Sequence, residues 1–408
     1  MKRISLLAAS LAAMLILVGC PPKGENGATG TSAAGGGEIL VGEYGSLTGS
    51  EATFGTSTHN GIMMAVDEIN ARGGVNGRKI KVITEDDQSK QEEAANAVTK
   101  LISQNNVVAV LGEVASSSSL AAGPICQANK VPMITPSSTN DDVTKKGDFI
   151  FRVCFTDSYQ GQSLGRYVAR DLGVRRVAIL TDVRSDYSQG LARWFESTYT
   201  ALGGKVVARA SYSKGDSDFK AQLTALKGSN PEILFVPGYY SDVAQIAIQA
   251  RDLGISAPLV GGDGWESPKL IEIGGKALEG SYYSNHYFYG DPAPLVSDFV
   301  RKYKDRYHET PDGMAALGYD AARVLADAMK RARKIEGADL RDAIGATKNF
   351  AGVTGSITIG PDRNAVGKKL VIEEIRNGQL TLKATVDPMA NGGAAPAPAA
   401  STATTATQ

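Results

Sequence analysis

Short runs of β-branched and apolar residues recur along the chain, each followed by a stretch of helical periodicity. Residues 107–111 (VVAVL), 177–180 (VAIL) and 233–236 (ILFV) are apolar on both faces, as strands inside parallel sheets are. Between them, Ile62, Ala65, Val66 and Ile69 follow i, i+3, i+4, i+7 spacing, and so do Ala94, Ala97, Val98 and Leu101. Those patterns predict amphipathic helices. Leu172-Gly173, Leu202-Gly203 and Leu253-Gly254 each close a helical stretch before a strand, where glycine can take the left-handed conformation that ends a helix. Strand–helix alternation predicts an α/β fold with parallel sheets. Domains run to roughly 100–200 residues, so a chain of 408 residues suits two sheets better than one.

Charge and motif content remove several function classes. The chain has 43 basic and 43 acidic residues and so offers no excess positive charge to nucleic acid. His59, His286, His308, Cys20, Cys126 and Cys154 fall into no CxxC, HExxH or comparable ligand spacing, so neither a metal site nor a His-rich catalytic centre is expected. There is no phosphate-binding Gly-x-x-x-x-Gly-Lys-Ser/Thr loop and no Gly-x-Gly-x-x-Gly fingerprint, hence no expected cofactor. A serine hydrolase would need a Gly-x-Ser-x-Gly elbow at the end of a strand; residues 161–165 (GQSLG) have that spacing but follow the polar stretch 156–160 (TDSYQ) and not an apolar strand run, so a hydrolase is not expected.

Lys2 and Arg3 precede an apolar run over 4–18 that ends in Leu17-Val18-Gly19-Cys20, the pattern of a secretory signal. Pro21-Pro22 stops the run short of the roughly 20 apolar residues that a membrane-spanning helix needs. Residues 21–37 are Gly-, Pro- and Ser/Thr-rich and read as a tether; the Ala/Pro/Thr-rich residues 388–408 read as a disordered tail.

Ligands of open α/β sheets bind beyond the carboxyl ends of the strands. The segments there run Gly112 to Ser119, Pro136 to Thr139, Thr181 to Tyr187, Pro237 to Tyr240, and Gly261 to Gly264. Ser116, at a helix start, offers a hydroxyl and free backbone N–H groups to an anion. Thr139 and the backbone of Ser137 complete a carboxylate cradle; Asp263, on a Gly-flanked loop, faces an ammonium. Tyr187 and Tyr239 supply flat walls with a hydroxyl at the tip. Singly, each has a plain structural reading as a cap, a turn or edge packing. Together they describe a site for a zwitterion, such as an α-amino acid.

The order Leu47-Thr48-Gly49, Ser116 to Ser119, Ile134 to Thr139, Phe151-Arg152-Val153, Asp186 to Gly190, Gly238-Tyr239 and Gly261 to Gly264 resembles the periplasmic leucine/isoleucine/valine-binding proteins of bacterial ABC importers, over about 40–387. The resemblance implies a type I clamshell: two Rossmann-like lobes joined by three crossing segments, the first from 38–157 and 287–365, the second from 158–286 and 366–387. It implies that Ser116, Ser137 and Thr139 hold the ligand's carboxylate and amino group, that Tyr187 and Tyr239 close on it, and that Asp263 pairs with the ammonium where some members carry Glu. Phe54 matches an aromatic near the ligand side chain. The implied ligand is a free amino acid, branched-chain or otherwise apolar, delivered to the membrane subunits of an ABC permease. A sensor of the same fold, or a site for another amino acid or small amide, remains the alternative.

Leu-Val-Gly-Cys resembles a bacterial lipobox, implying cleavage before Cys20 and a lipid on its sulfur, so that the protein meets the membrane only through this anchor on the outer face. Loss of Lys2 and Arg3 takes the 43 basic groups to 41 against 43 acidic, a net −2. Ala115 occupies one Cys position of the family's disulfide, which is therefore not matched. Cys126 and Cys154 are then the remaining thiols of an exported chain, and a bridge between them is expected, with two buried unpaired cysteines as the alternative.

Overall fold

A computed structural model describes residues 37–387. The signal sequence, Cys20, the tether and the tail lie outside the described residues. The chain opens with β1 (Ile39–Gly45), α1 (Ala52–Ala71), β2 (Ile80–Asp86), α2 (Gln91–Ser103), β3 (Ala109–Leu111), α3 (Ser116–Asn129), β4 (Met133–Thr135) and β5 (Ile150–Arg152). These strands form one parallel sheet in the order β2-β1-β3-β4-β5. The run at 107–111 is thus a strand, β3, shorter than its apolar stretch.

The chain next builds α4 (Asp157–Arg166), β6 (Arg176–Asp182), α5 (Asp186–Ala201), β7 (Lys205–Tyr212), α6 (Lys220–Lys227), β8 (Ile233–Phe235), α7 (Tyr240–Asp252), β9 (Leu259–Gly261), α8 (Pro268–Gly274) and β10 (Tyr282–Asn285). Gly173, Gly203 and Gly254 carry the expected positive φ, at 65°, 86° and 73°. Next come α9 (Pro294–Tyr307), α10 (Gly313–Arg331), α11 (Gly337–Gly345) and a small antiparallel sheet of β11 (Phe350–Gly352), β12 (Gly355–Ile359) and β13 (Ala365–Val366). Finally β14 (Leu370–Arg376) and β15 (Gln379–Val386) join the second sheet, ordered β15-β14-β10-β9-β8-β6-β7. Its β15-β14-β10 edge is antiparallel, a departure from the all-parallel expectation.

The chain crosses between the two large sheets' sides three times, after β5, after β10 and before β14. The first sheet is covered on both faces. Val110, Met133 and Ile150 pack with Val98 and Cys126 beneath α2 and α3, whereas Ala109, Ile134 and Phe151 point to the other face, among Ile62, Leu317 and Cys154. Cys126 and Cys154 are free and buried, and the sheet lies between them; the expected bridge is not formed. Burial pushes both thiols up to about 12. The second lobe buries Phe195, Phe235, Ile246 and Trp265 in a core that Phe54, Val114 and Met314 reach from the first lobe's elements. Among the described residues no helix is long and apolar enough to cross a membrane.

Candidate functional site

The strand-end loops of both sheets meet at a small cleft lined by Phe54, Val114, Ser137, Thr139, Tyr187, Tyr239, Asp263, Gly264 and Met314. Six of the seven side chains expected to bind ligand are thus brought together. Ser116 is not among the lining residues. It opens α3 as expected, but its Oγ accepts from the backbone N–H of Asn140 at 3.2 Å and supports the neighbouring loop.

That loop, 136–140, is held from below. Arg152, fully buried at the end of β5, donates from Nη1 to the Ser138 carbonyl (2.7 Å) and from Nη2 to the Asn140 carbonyl (2.8 Å). Ser138 Oγ donates to the Glu113 carbonyl at 2.8 Å and its backbone N–H to Thr135 Oγ1 at 2.9 Å. With its neighbours committed to the scaffold, the buried Ser137 Oγ has no hydrogen-bond partner in the protein.

Aromatic rings form the opposite wall. Tyr187 and Tyr239 stack at 5.3 Å with 7° between their planes, and Phe54 meets Tyr239 edge-on at 5.5 Å. The Tyr187 hydroxyl accepts from the Gly264 backbone N–H at 3.0 Å, which ties this wall to the Asp263 loop. Burial pushes both phenols well above their ordinary range, so each stays protonated.

Asp263 is almost wholly buried. Its Oδ1 accepts from Gln160 Nε2 and its Oδ2 lies against His286 Nε2, each at 2.9 Å. A second acid stands close by. Both carboxylate oxygens of Asp157 are buried without a hydrogen-bond partner, and its backbone N–H donates to the Thr139 carbonyl at 2.8 Å. Burial pushes the Asp157 carboxyl well upward, and the fields of Asp141 and Asp263 add to this. Sequence reading took Asp263 as the sole acid here. Asp157 looks instead like a first-turn helix acid after the Thr156 cap, and nothing local marks it as part of the cleft. Gln160, His286 and Met314 were missed too, because they reach the site from 23 to 103 positions away in sequence.

Side chains from the two sides also meet beyond the cleft. Ser117 Oγ pairs with Asp186 Oδ2 at 2.7 Å, Thr53 Oγ1 with Ser267 Oγ at 2.9 Å, and Lys214 Nζ with Glu51 Oε1 at 2.6 Å. The lining sets the hydroxyls of Ser137 and Thr139 and the carboxylate of Asp263 around apolar Phe54, Val114 and Met314. No group of three or more His, Cys, Asp or Glu that could hold a metal occurs among the described residues.

Residues 38–379 match the model of a periplasmic binding protein family. A Leu/Ile/Val-binding protein homologue of Brucella abortus is 31% identical over 353 residues, covering 86% of this chain and 93% of the relative. Among solved structures, a leucine-binding protein LivK from Thermotoga maritima is 38% identical with a TM-score of 0.83, covering 86% of this chain and all of the other. The branched-chain amino acid transporter substrate-binding protein LivJ from Streptococcus pneumoniae, in complex with isoleucine, is 35% identical with a TM-score of 0.82 at the same coverage.

Proposed function

The chain belongs to the periplasmic binding protein family, and from that premise we propose that it is the extracytoplasmic solute-binding component of an ABC importer, holding a free branched-chain α-amino acid between its lobes and delivering it to the permease. One observation carries the choice of an amino acid. The cleft brings the unpartnered Ser137 hydroxyl, Thr139 and the Asp263 carboxylate together, with Asp157 behind Thr139. A carboxylate ligand without an ammonium would leave Asp263 buried against a like charge, which costs several kcal/mol, roughly. The apolar side chains of Phe54, Val114 and Met314 in the lining favour an aliphatic ligand side chain.

The remaining parts follow from the sequence. We assign 38–157 and 287–365 to the first lobe and 158–286 and 366–387 to the second, with Cys20 as the lipid anchor that keeps the protein at the outer face of a membrane. Native mass spectrometry for a co-purifying ligand, followed by calorimetry with leucine, isoleucine, valine, phenylalanine and glutamate, tests the assignment. Branched-chain amino acids should bind most tightly. Preference for peptides, sugars or metal ions would overturn it.

A further inference from the structure

The groups that hold Asp263 bring it no positive charge. Its backbone N–H donates to Gln160 Oε1 at 2.9 Å, Gln160 Nε2 donates back to Oδ1, and Ser284 Oγ fixes Gln160 in turn at 2.8 Å. The third contact is His286 Nε2 on Oδ2. A histidine beside a carboxylate can be a cation or a neutral donor. Here the ring is fully enclosed, and burial drives its pKa below the usual histidine value against the pull of Asp263. Nδ1 has no hydrogen-bond partner, as fits a ring carrying its single proton on Nε2. The charged groups facing the ring are Asp263 and Lys368, and Lys368 is spent on Thr354, with Nζ 2.7 Å from the Thr354 carbonyl.

His286 also has a particular place in the chain. It follows β10 at the second crossing between lobes. Its ring stacks on Phe155 of the first crossing, with centroids 3.8 Å apart and 19° between planes. Lys368 belongs to the third crossing. A lysine or arginine in place of His286 would neutralise Asp263 and compete with a ligand cation; a neutral N–H donor fixes the carboxylate and leaves its charge for the ligand.

We propose that His286 is a positioning residue for ligand binding: a neutral Nε2–H donor that aims the Asp263 carboxylate at the ligand's ammonium and braces it on the segments crossing between the lobes. This rests on the amino-acid reading above. The test is calorimetry with L-isoleucine on the full chain, comparing wild type, His286→Gln, which keeps a donor nitrogen at similar reach, and His286→Leu, which removes it. The leucine variant should bind about tenfold or more weakly, and the glutamine variant within about threefold of wild type. Nitrogen-15 spectra of histidine-labelled wild type, which has only three histidines, should show His286 as the neutral Nε2–H tautomer, shifting when isoleucine is added. Wild-type affinity in His286→Leu, failure of glutamine to restore binding, or an Nδ1–H tautomer would each overturn the proposal. Should His286→Leu not fold, the glutamine variant and the tautomer decide. If wild type binds no amino acid, the functional reading fails instead, and the tautomer of the unliganded protein still reports on His286.

Discussion

Ser137 and Asp157 present buried polar atoms that the protein itself leaves unpaired. Each such atom costs about 1–3 kcal/mol unless something else completes it. Replacing Ser137 by Ala removes an unsatisfied hydroxyl, so the unliganded variant should melt at or above the wild-type temperature while isoleucine affinity falls by about tenfold. A variant that loses stability and keeps affinity would mark Ser137 as scaffold. Asp263→Asn keeps the shape of the side chain and removes the charge; leaving a buried ammonium unpaired should cost about 3–5 kcal/mol of binding by calorimetry. Unchanged affinity would remove Asp263 from the site. Sequence alone names Ser137, Thr139, Tyr187, Tyr239, Asp263 and Phe54 as candidates, because each follows a recognisable strand or matches a family motif, and the fold brings the six around one cleft. Ser116 alone of the seven does not line the cleft, its Oγ accepting from the Asn140 backbone N–H. Hydroxyl-rich turns look alike in sequence, and whether an Oγ faces the ligand or the next loop depends on the tertiary contact with Asn140. Gln160 and His286 meet Asp263 through no local pattern.

Elements were legible where periodicity was strong, and less so where pairing is long-range. The strands at 177–180 and 233–236 and helices α1 and α2 announce themselves by period. The β14–β15 hairpin had a signal that went unused: Asn377-Gly378 between two apolar-rich strands, at φ 53° and 69°, as a two-residue hairpin turn requires. The cysteine bridge failed on sheet geometry. That Cys126 lies beneath one face of the first sheet and Cys154 at the other is invisible in spacing alone. One close approach positions two lining residues at once. A Cβ on Gly61 of α1 would fall 2.0 Å from the Ala315 carbonyl oxygen of α10, and one on Gly318 would fall 2.5 Å from that of Thr58. These helices carry Phe54 and Met314. Gly61→Ala must push them apart, and urea denaturation should show a loss of about 1–3 kcal/mol. An unchanged midpoint would mean that the two helices separate without strain.

For the molecule as a whole, buried acids set the pH dependence of stability. Burial is the main cause that raises Asp87 to about 6, Asp242 and Asp312 to about 7 and Glu373 to about 8, from ordinary values near 4. Between pH 4 and 8 the folded chain therefore holds protons that the unfolded chain has lost, and stability falls as pH rises through that window. His59, raised by its bond to Glu43, acts in the same direction. His286, lowered by burial, opposes them as pH drops below its unfolded value of 6.5. Asp86, Asp148 and Asp298 are lowered, and their contribution is lost only as pH falls below about 4. The melting temperature should thus be higher at pH 5 than at pH 8; the reverse order in a melting series would contradict the buried-acid account. Closure is the other property of the whole. A ligand favours the closed form only through contacts missing from the open one. Lys214, on the loop after β7, lies 2.6 Å from Glu51 and donates to the Ser89 carbonyl at 2.8 Å, both in the first lobe. Opening breaks both contacts, so Lys214→Met should raise the open population without touching the ligand cavity. Apparent affinity then falls in proportion to the closed fraction, and faster dissociation should account for most of the loss. X-ray scattering should show a larger radius of gyration for the unliganded variant than for unliganded wild type, with saturating isoleucine returning both to one compact value. Identical curves with and without ligand in wild type would exclude a clamshell, and a weakened variant with unchanged scattering would place Lys214 in binding and not in closure.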